Sequence, residues 1–355
     1  MKLSPERFRA NLLGWFQPEL RQMPWRESKD PYQIWVSEIM LQQTQVNTVK
    51  PYFKRFLEAF PTLEALAQSP SEKVLKLWEG LGYYSRARNL QKGAQFVLAE
   101  FAGEMPSRVE DLLKIPGVGP YTAGAIASIA FDICEPAIDG NVNRVFSRLY
   151  AYADPIDKPP AQRWLDQQVR ILLDPVRPGD FNQALMELGA TVCKPVNPLC
   201  QDCPLHTGCL AKIQADPEQF PIKSSKTKIK RLDLQVALIR YQGKYLLRQQ
   251  RESGIFHQLW VLPWESDLSR LETLILNETG LQIAEPQAIG TVSHTLTHRQ
   301  LEMQIWAIPE LGKRTFPDLP GHWSWHDPCQ NQAQAIPVAH QKIFKFLKEM
   351  PLFFS

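Results

Sequence analysis

Apolar residues recur at helical spacing, segment after segment, through roughly the first two hundred residues, and no stretch there alternates with period two. This half is predicted to be all-α. Asp30-Pro31 and Ser69-Pro70 each mark a helix start, because proline's missing N–H costs nothing at the first helical position. Ser69-x-x-Glu72 and Ser107-x-x-Glu110 fit capping boxes, in which two otherwise unpaired amides are satisfied reciprocally. Residues 117–138 form a weakly charged, Gly- and Ala-rich run broken by Asp132 and Glu135, which predicts a buried helix and not a membrane span.

The period changes in the last third of the chain. Leu234, Val236 and Leu238 alternate with Asp233, Gln235 and Ala237, and Gln242-Gly243 turns the chain into a second strand over 244–249, a hairpin signal. A helix is expected over 268–278, stopped by Gly280. A strand over 301–308 and an amphipathic helix over 338–350 follow. This half is α+β. Between the halves, residues 216–231 hold Pro217, Pro221, two serines, and Lys223, Lys226, Lys228, Lys230 and Arg231. That is linker composition. Its charge suits a segment lying along a phosphate backbone, and equally a merely solvated linker. The expected organisation is therefore a helical domain over 1–215, a basic linker over 216–231, and a second domain over 232–355.

Bulk numbers agree with that organisation. At 355 residues the chain is too long for one ordinary core. A formal charge of +3 is too small to establish a nucleic-acid partner, since phosphate binding depends on local patches. The arginine-bearing start, with Arg7 and Arg9, has no long apolar core, so a signal peptide is not expected, and a reducing cytoplasm is. There is no internal repeat.

Three motifs carry chemistry. Cys193, Cys200, Cys203 and Cys209 are spaced C-x6-C-x2-C-x5-C. Such a group satisfies either an all-cysteine zinc site or one [4Fe–4S] cluster. Zinc sites usually use two short knuckles, and only the 200/203 pair has that form, so the spacing favours the cluster. Cys134 and Cys329 are left over and read as small buried hydrophobes. In Leu113-Lys114-Ile115-Pro116-Gly117-Val118-Gly119-Pro120-Tyr121-Thr122-Ala123, two glycines allow a tight turn between helices. Turn amides such as those of Gly117, Val118 and Gly119, with the positive helix end behind them, can hold a phosphate oxygen without reading sequence. An ordinary Gly-rich connection is the plainer interpretation of a lone GxG.

Two acidic residues complete the set. Asp139, in Ile138-Asp139-Gly140-Asn141-Val142-x-Arg144, stands just before a helix. That is often only an N-cap, although the helix end would also keep a catalytic carboxylate ionised. Glu38, in Trp35-Val36-Ser37-Glu38-Ile39-Met40-Leu41-Gln42-Gln43, shares a helical face with Ile34 and Leu41. Apolar crowding should raise its pKa towards the range useful for a general acid, whereas a surface glutamate would stay ordinary.

Together, the cysteine spacing, the hairpin between about 108 and 130, and Asp139 twenty residues beyond Gly119 resemble the iron–sulfur helix-hairpin-helix DNA glycosylases. Glu38 within SEIMLQQTQV and Asp139 within DGNV are most similar to the MutY family. That resemblance implies base-excision repair of duplex DNA by a monomer with one [4Fe–4S] cluster, at the bacterial nucleoid and away from membranes. Its substrate would be adenine mispaired with 8-oxoguanine or guanine. It also implies that Glu38 protonates adenine, Asp139 stabilises the cationic sugar and Tyr121 hydrogen-bonds in the same pocket. Gln43 and Tyr83 would wedge the base stack, and Trp25, Arg26 and Gln183 would line the adenine pocket. The cluster loop would offer Lys194 and Lys212 to phosphate.

The C-terminal half resembles a Nudix domain. Of the acidic cluster that binds Mg2+ in working Nudix hydrolases, only Glu278 is present. Leu296-Thr297-His298 matches the segment with which the family reads 8-oxoguanine, with leucine where an aromatic is usual. Three other readings make different demands on the sequence. An endonuclease III-like enzyme for oxidised pyrimidines would need a lysine where Tyr121 stands. A non-catalytic damage-binding protein would not need Glu38 and Asp139. A Nudix pyrophosphatase would need the missing acids.

Overall fold

The computed structural model describes residues 1–17, 22–214, 216–224, 229–308, 319–328, 330 and 333–350. Two compact units emerge, one formed by Met1–Ser69 with Ser85–Lys226 and the other by Pro70–Tyr84 with Thr227–Ser355. Grouping of residues 70–84 with the C-terminal unit had no signal in composition. Hydrogen bonds explain it: Lys76 Nζ donates to Gln334 O at 3.2 Å, and Ile336 N donates to Glu79 Oε1 at 2.8 Å.

The first unit is built from helices: α1 (Pro5–Trp15), α2 (Pro31–Leu41), α3 (Val46–Ala59) and α4 (Leu63–Ala67). After α5 (Ser71–Leu77), which belongs to the other unit, come α6 (Ser85–Glu100), α7 (Val109–Leu112), α8 (Pro120–Phe131), α9 (Gly140–Tyr150), α10 (Pro159–Leu172), α11 (Pro178–Thr191) and α12 (Leu210–Ile213). α2 starts as its sequence predicts, with Asp30 Oδ1 accepting from Tyr32 N at 2.9 Å and Pro31 following. Such a cap contributes about 1 kcal/mol.

Neither expected capping box forms. α5 is preceded by Pro70 and α7 by Arg108, each without a side-chain cap bond, because both helices begin one residue later than a serine cap would require. α8 is buried from Thr122 through Ser128, since its small side chains let neighbours approach on every side. It ends earlier than the run over 117–138 predicts, at Phe131, where Asp132 turns left-handed (φ 52°). The chain returning from that turn is pinned by the fully buried Asn182. Its Nδ2 donates to Ser128 Oγ (2.8 Å) and Glu135 O (2.9 Å), and its Oδ1 accepts from Ala137 N (3.1 Å). A second core joins α1, α9, α10 and α11 through Phe8, Leu12, Phe146, Leu165, Phe181 and Leu185.

The second unit is a mixed sheet. Its strands are β1 (Lys230–Tyr241), β2 (Lys244–Gln249), β3 (Trp260–Val261), β4 (Trp264–Glu265), β5 (Gln287–Leu296), β6 (Arg299–Ile308) and β7 (Trp323–His326). The order is β3-β2-β1-β6-β5, with β4 on β1 and β7 on β2. β1 lies at the centre, antiparallel to β2 and parallel to β6. Its alternation therefore stops at Val236, and Ala237, Leu238 and Ile239 are all buried, as befits a strand covered on both faces. The Gln242-Gly243 hairpin forms, with both residues at positive φ (48° and 75°). Helices α13 (Leu268–Thr279) and α14 (Val338–Lys348) complete the unit, and Gly280 stops α13 at φ 71°. The linker begins in a turn and merges into β1 at Lys230; Lys226, Lys228 and also Cys329 lie outside the described residues.

Candidate active site

α2 carries Glu38 on a buried face, where it is only 6% exposed. Tyr121, in the first turn of α8, donates its hydroxyl to Glu38 Oε2 and lies 3.6 Å from Met186 Sδ. Burial pushes the Glu38 carboxyl up to about 7, with Asp139's charge adding to the rise while the Tyr121 hydrogen bond and Arg26 oppose it. Burial first, then the Glu38 and Asp139 charges, also hold the Tyr121 hydroxyl well above its ordinary value. Burial therefore lets Glu38 carry a proton near neutral pH.

Asp139 is the N-cap of α9. Its Oδ1 accepts from Asn141 N (2.9 Å) and Val142 N (2.8 Å), and Oδ2 accepts from Asn141 Nδ2 (2.6 Å). The sequence predicts that the helix end favours the ionised form of this carboxyl. Burial outweighs those donors and lifts it above its ordinary value. A hydrogen-bonded path continues from Asn141: its Oδ1 accepts from Arg144 Nη2 (2.9 Å), and Arg144 reaches Gly189 O (2.8 Å) and Cys193 O (2.8 Å). α11 comes this close because position 189 is glycine. A Cβ there would stand 2.4 Å from Asn141 Cβ.

Glu38, Tyr121 and Asp139 line one cleft with Trp25, Arg26, Gln43, Gln183, Met186 and Glu187. Trp25 is buried edge-on against Phe53, with ring centroids 5.5 Å apart. Arg26 Nη2 pairs with Glu187 Oε2 at 2.9 Å, and its Nη1 is buried without a hydrogen-bond partner among the described residues. Glu187 was missed in the sequence. It lies four residues after Gln183 on α11, a spacing that places both on one face. Lys223 also borders the cleft.

In the hairpin, Gly117 has φ 83°, and a Cβ there would stand 2.7 Å from Asn89 Cβ, so both conformation and space require glycine. Val118 departs from expectation. It is buried, and its N–H is committed to Ile115 O at 3.0 Å, so it offers no outward amide. Gly119 caps α8 without a side chain, which leaves the helix start open to an oxygen ligand.

The four cluster-type cysteines line a single cavity with Arg148 and Lys212. Arg148, itself buried, donates to Cys193 Sγ at 3.4 Å and to Lys194 O and Pro195 O. Burial pushes the Cys203 thiol up to about 12, so a positively charged group is needed to hold this set as thiolates. Four converging sulfurs beside a buried arginine fit an iron–sulfur cluster. Among the described residues no three such side chains close on a single metal ion. Cys134, expected to be buried, is exposed in the loop after α8.

In the second unit, Thr297 and His298 form the exposed turn between β5 and β6, and Leu296 pairs with Arg299 below them. Tyr83, of the same unit, is 46% exposed, and its hydroxyl is hydrogen-bonded to that of Thr297. Glu278 is surrounded by donors: Arg248 Nε (3.1 Å) and Nη2 (3.0 Å), His322 Nε2 (2.9 Å) and Trp323 Nε1 (2.8 Å). Those contacts hold its carboxyl below the usual range even though burial works the other way.

Residues 36–168 match the profile of HhH-GPD superfamily base excision DNA repair proteins, and residues 235–346 match the NUDIX domain. A thermostable thymine-DNA glycosylase of known structure superposes on 59% of this chain and 97% of its own, with a TM-score of 0.55 and 27% identity. The fold and site thus define a helix-hairpin-helix base-excision repair hydrolase with an appended Nudix-like domain. Human adenine DNA glycosylase is 36% identical over 95% of this chain and 73% of its own length. The adenine DNA glycosylase of Buchnera aphidicola subsp. Schizaphis graminum is 32% identical over 96% and 99%. The chain belongs to the adenine DNA glycosylase family. Among the described residues, no helix is long and apolar enough to cross a membrane.

Proposed function

We propose that this protein excises adenine opposite 8-oxoguanine, and opposite guanine, from duplex DNA. One observation carries the proposal: a buried carboxyl raised to about 7, hydrogen-bonded to Tyr121, shares a cleft with a second carboxyl held at a helix start. Neutral adenine is a poor leaving group. Protonation of its ring by Glu38 makes it a good one, and the bond to the sugar then breaks towards an oxocarbenium-like centre that Asp139 stabilises. Water then adds to that carbon and gives its proton to a carboxylate, a division of labour also used by glycosidases. Chemistry on a base requires its extrusion from the stack, at a cost of about a few kcal/mol that is smaller at a mispair. Gln43 and Tyr83 are assigned to that extrusion, and the Gly117–Gly119 turn to the backbone. Trp25, Arg26 and Gln183 form the receiving pocket, where Arg26 Nη1 has a donor to give to a base nitrogen.

Lesion reading is assigned to Leu296, Thr297 and His298, with Tyr83 bonded to the Thr297 hydroxyl. The domain arrangement follows the same logic: excision by the helical domain over 1–215, recognition by the Nudix-like domain over 232–355. The cluster held by Cys193, Cys200, Cys203 and Cys209 has a structural role, folding the loop that carries Lys194. Because Tyr121 stands where a lyase would need an amine, strand cleavage is not part of the reaction.

The test is single-turnover base release from a duplex with one adenine opposite 8-oxoguanine, resolved with and without alkali. Adenine release with strand breaks only after alkali is the expected result. No release from cluster-loaded protein, or breaks without alkali, would refute the proposal.

A further inference from the structure

α2 ends in backbone carbonyls that have no donors within the helix, the general condition of a helix C-terminus. Its cap, Gln42, leaves the helix at φ −57°, ψ 116°. Arg86, the second residue of α6, supplies the donors from outside. Its Nη1 donates to Ile39 O (2.8 Å), Met40 O (2.9 Å) and Gln42 O (2.5 Å), and its Nη2 donates to Thr44 Oγ1 (3.2 Å). The arginine is buried, so water competes little for these bonds. A cation suits the negative end of a helix, and the two terminal nitrogens of one guanidinium reach acceptors on both sides of Gln43.

Between the gripped residues Gln42 and Thr44 lies Gln43. It has φ 58°, a left-handed conformation that an L side chain adopts only at a cost. Gln43 is exposed, so burial of its own side chain does not hold it there. The turn closed by Thr44 N–H on Leu41 O (3.2 Å) does, together with the two neighbours of Gln43, both of which are bonded to one guanidinium.

We propose that Arg86 is a positioning residue that holds Gln43 in the backbone conformation from which its side chain enters the DNA stack. This rests on the wedge role assigned to Gln43 above. Glu38 is anchored separately by Tyr121, so the clamp governs engagement of the lesion and not the chemical step.

Arg86→Lys keeps the charge and loses the fork. The holoprotein is titrated with a short duplex carrying an uncleavable fluorinated deoxyadenosine opposite 8-oxoguanine, and 2-aminopurine beside the lesion reports unstacking. Base release at saturating enzyme is measured on the ordinary substrate. Binding is expected to weaken about tenfold with most of the 2-aminopurine enhancement lost, while the saturated rate stays within about twofold of the parent. In a Gln43→Ala background the same change should weaken binding by less than about twofold, because the arginine acts through Gln43. Additive losses, or unchanged binding and fluorescence, would overturn the proposal. Should Arg86→Lys fail to fold with its cluster, Thr44→Val removes one acceptor of Arg86 together with the hydroxyl's own bond to Gln42 O (3.3 Å). Its expected loss is about threefold, again vanishing without the Gln43 side chain, and additivity again counts against the clamp. Binding and fluorescence are read on an uncleavable duplex, so a parent that releases no adenine would refute the excision proposal while leaving the clamp testable.

Discussion

Glu38→Gln separates the cost of burying this acid from its use. Folding raises the carboxyl from its ordinary 4.5 to about 7. Below the ordinary value both folded and unfolded chains hold the proton and nothing is lost. Above it the unfolded chain ionises first, so stability falls as pH rises from 4.5 through about 7 and stays lost beyond. Each pKa unit is worth about 1.4 kcal/mol, which places the penalty on the order of 1 kcal/mol at pH 5 and about 3 kcal/mol at pH 8. Glutamine has nearly the same shape, cannot ionise, and still offers an oxygen to the Tyr121 hydroxyl. The variant should therefore gain about 2 kcal/mol more over the parent at pH 8 than at pH 5, seen as several degrees of extra Tm at about 2–4 °C per kcal/mol. Calorimetry of the cluster-loaded protein at both pH values measures this. The same variant should release adenine at least about a hundredfold more slowly while still binding mispaired DNA. A stability difference that does not grow with pH would show that the carboxyl is not strained by burial, and near-normal base release would remove Glu38 from the chemistry.

Other expectations are narrower. Asp139→Asn should keep the α9 cap and hence the fold, because asparagine caps about as well as aspartate, but base release should drop about a hundredfold or more; single-turnover kinetics beside a melting curve decides it. Gly189→Ala drives a methyl to within 2.4 Å of Asn141 Cβ. It should cost about 1–3 kcal/mol in denaturant titration and slow base release by moving Asn141 off Asp139. Thr297→Ala should lower the preference for adenine opposite 8-oxoguanine over adenine opposite guanine, and Tyr83→Phe, which removes the other half of that hydrogen bond, should do so less. Unchanged ratios in competition assays would move lesion reading elsewhere in the second unit.

Strong local signals were legible and weak ones were not, for physical reasons. Asp30-Pro31, Gln242-Gly243 and Gly280 each act through their own backbone preferences, and each stands where its sequence predicts. Ser69 and Ser107 failed as caps because a cap depends on where the first turn starts, and a shift of one residue removes the bond. Nothing local could show that residues 70–84 join the C-terminal unit, since bonds such as Lys76 to Gln334 span most of the chain. Arg26 was legible as a pocket residue, but its partner Glu187, 161 positions away, was not.

The two carboxyls show the same limit within the site. A helix end beside Asp139 could be read from sequence, but the burial that works against it, and lifts the carboxyl above its ordinary value, could not. The roles proposed for them rest on a contrast in donors. Glu38 accepts one side-chain hydrogen bond, from a hydroxyl, in a buried setting, and it retains its proton to about pH 7. Asp139 accepts three N–H bonds, two of them from a helix start, all of which favour its ionised form against the same desolvation. On that difference Asp139 ionises first, and its negative charge is among the forces that keep Glu38 protonated. The proposed acid and the proposed anion thus depend on one another, and removing the charge of Asp139 should lower the pKa of Glu38 as well as abolish its own contribution.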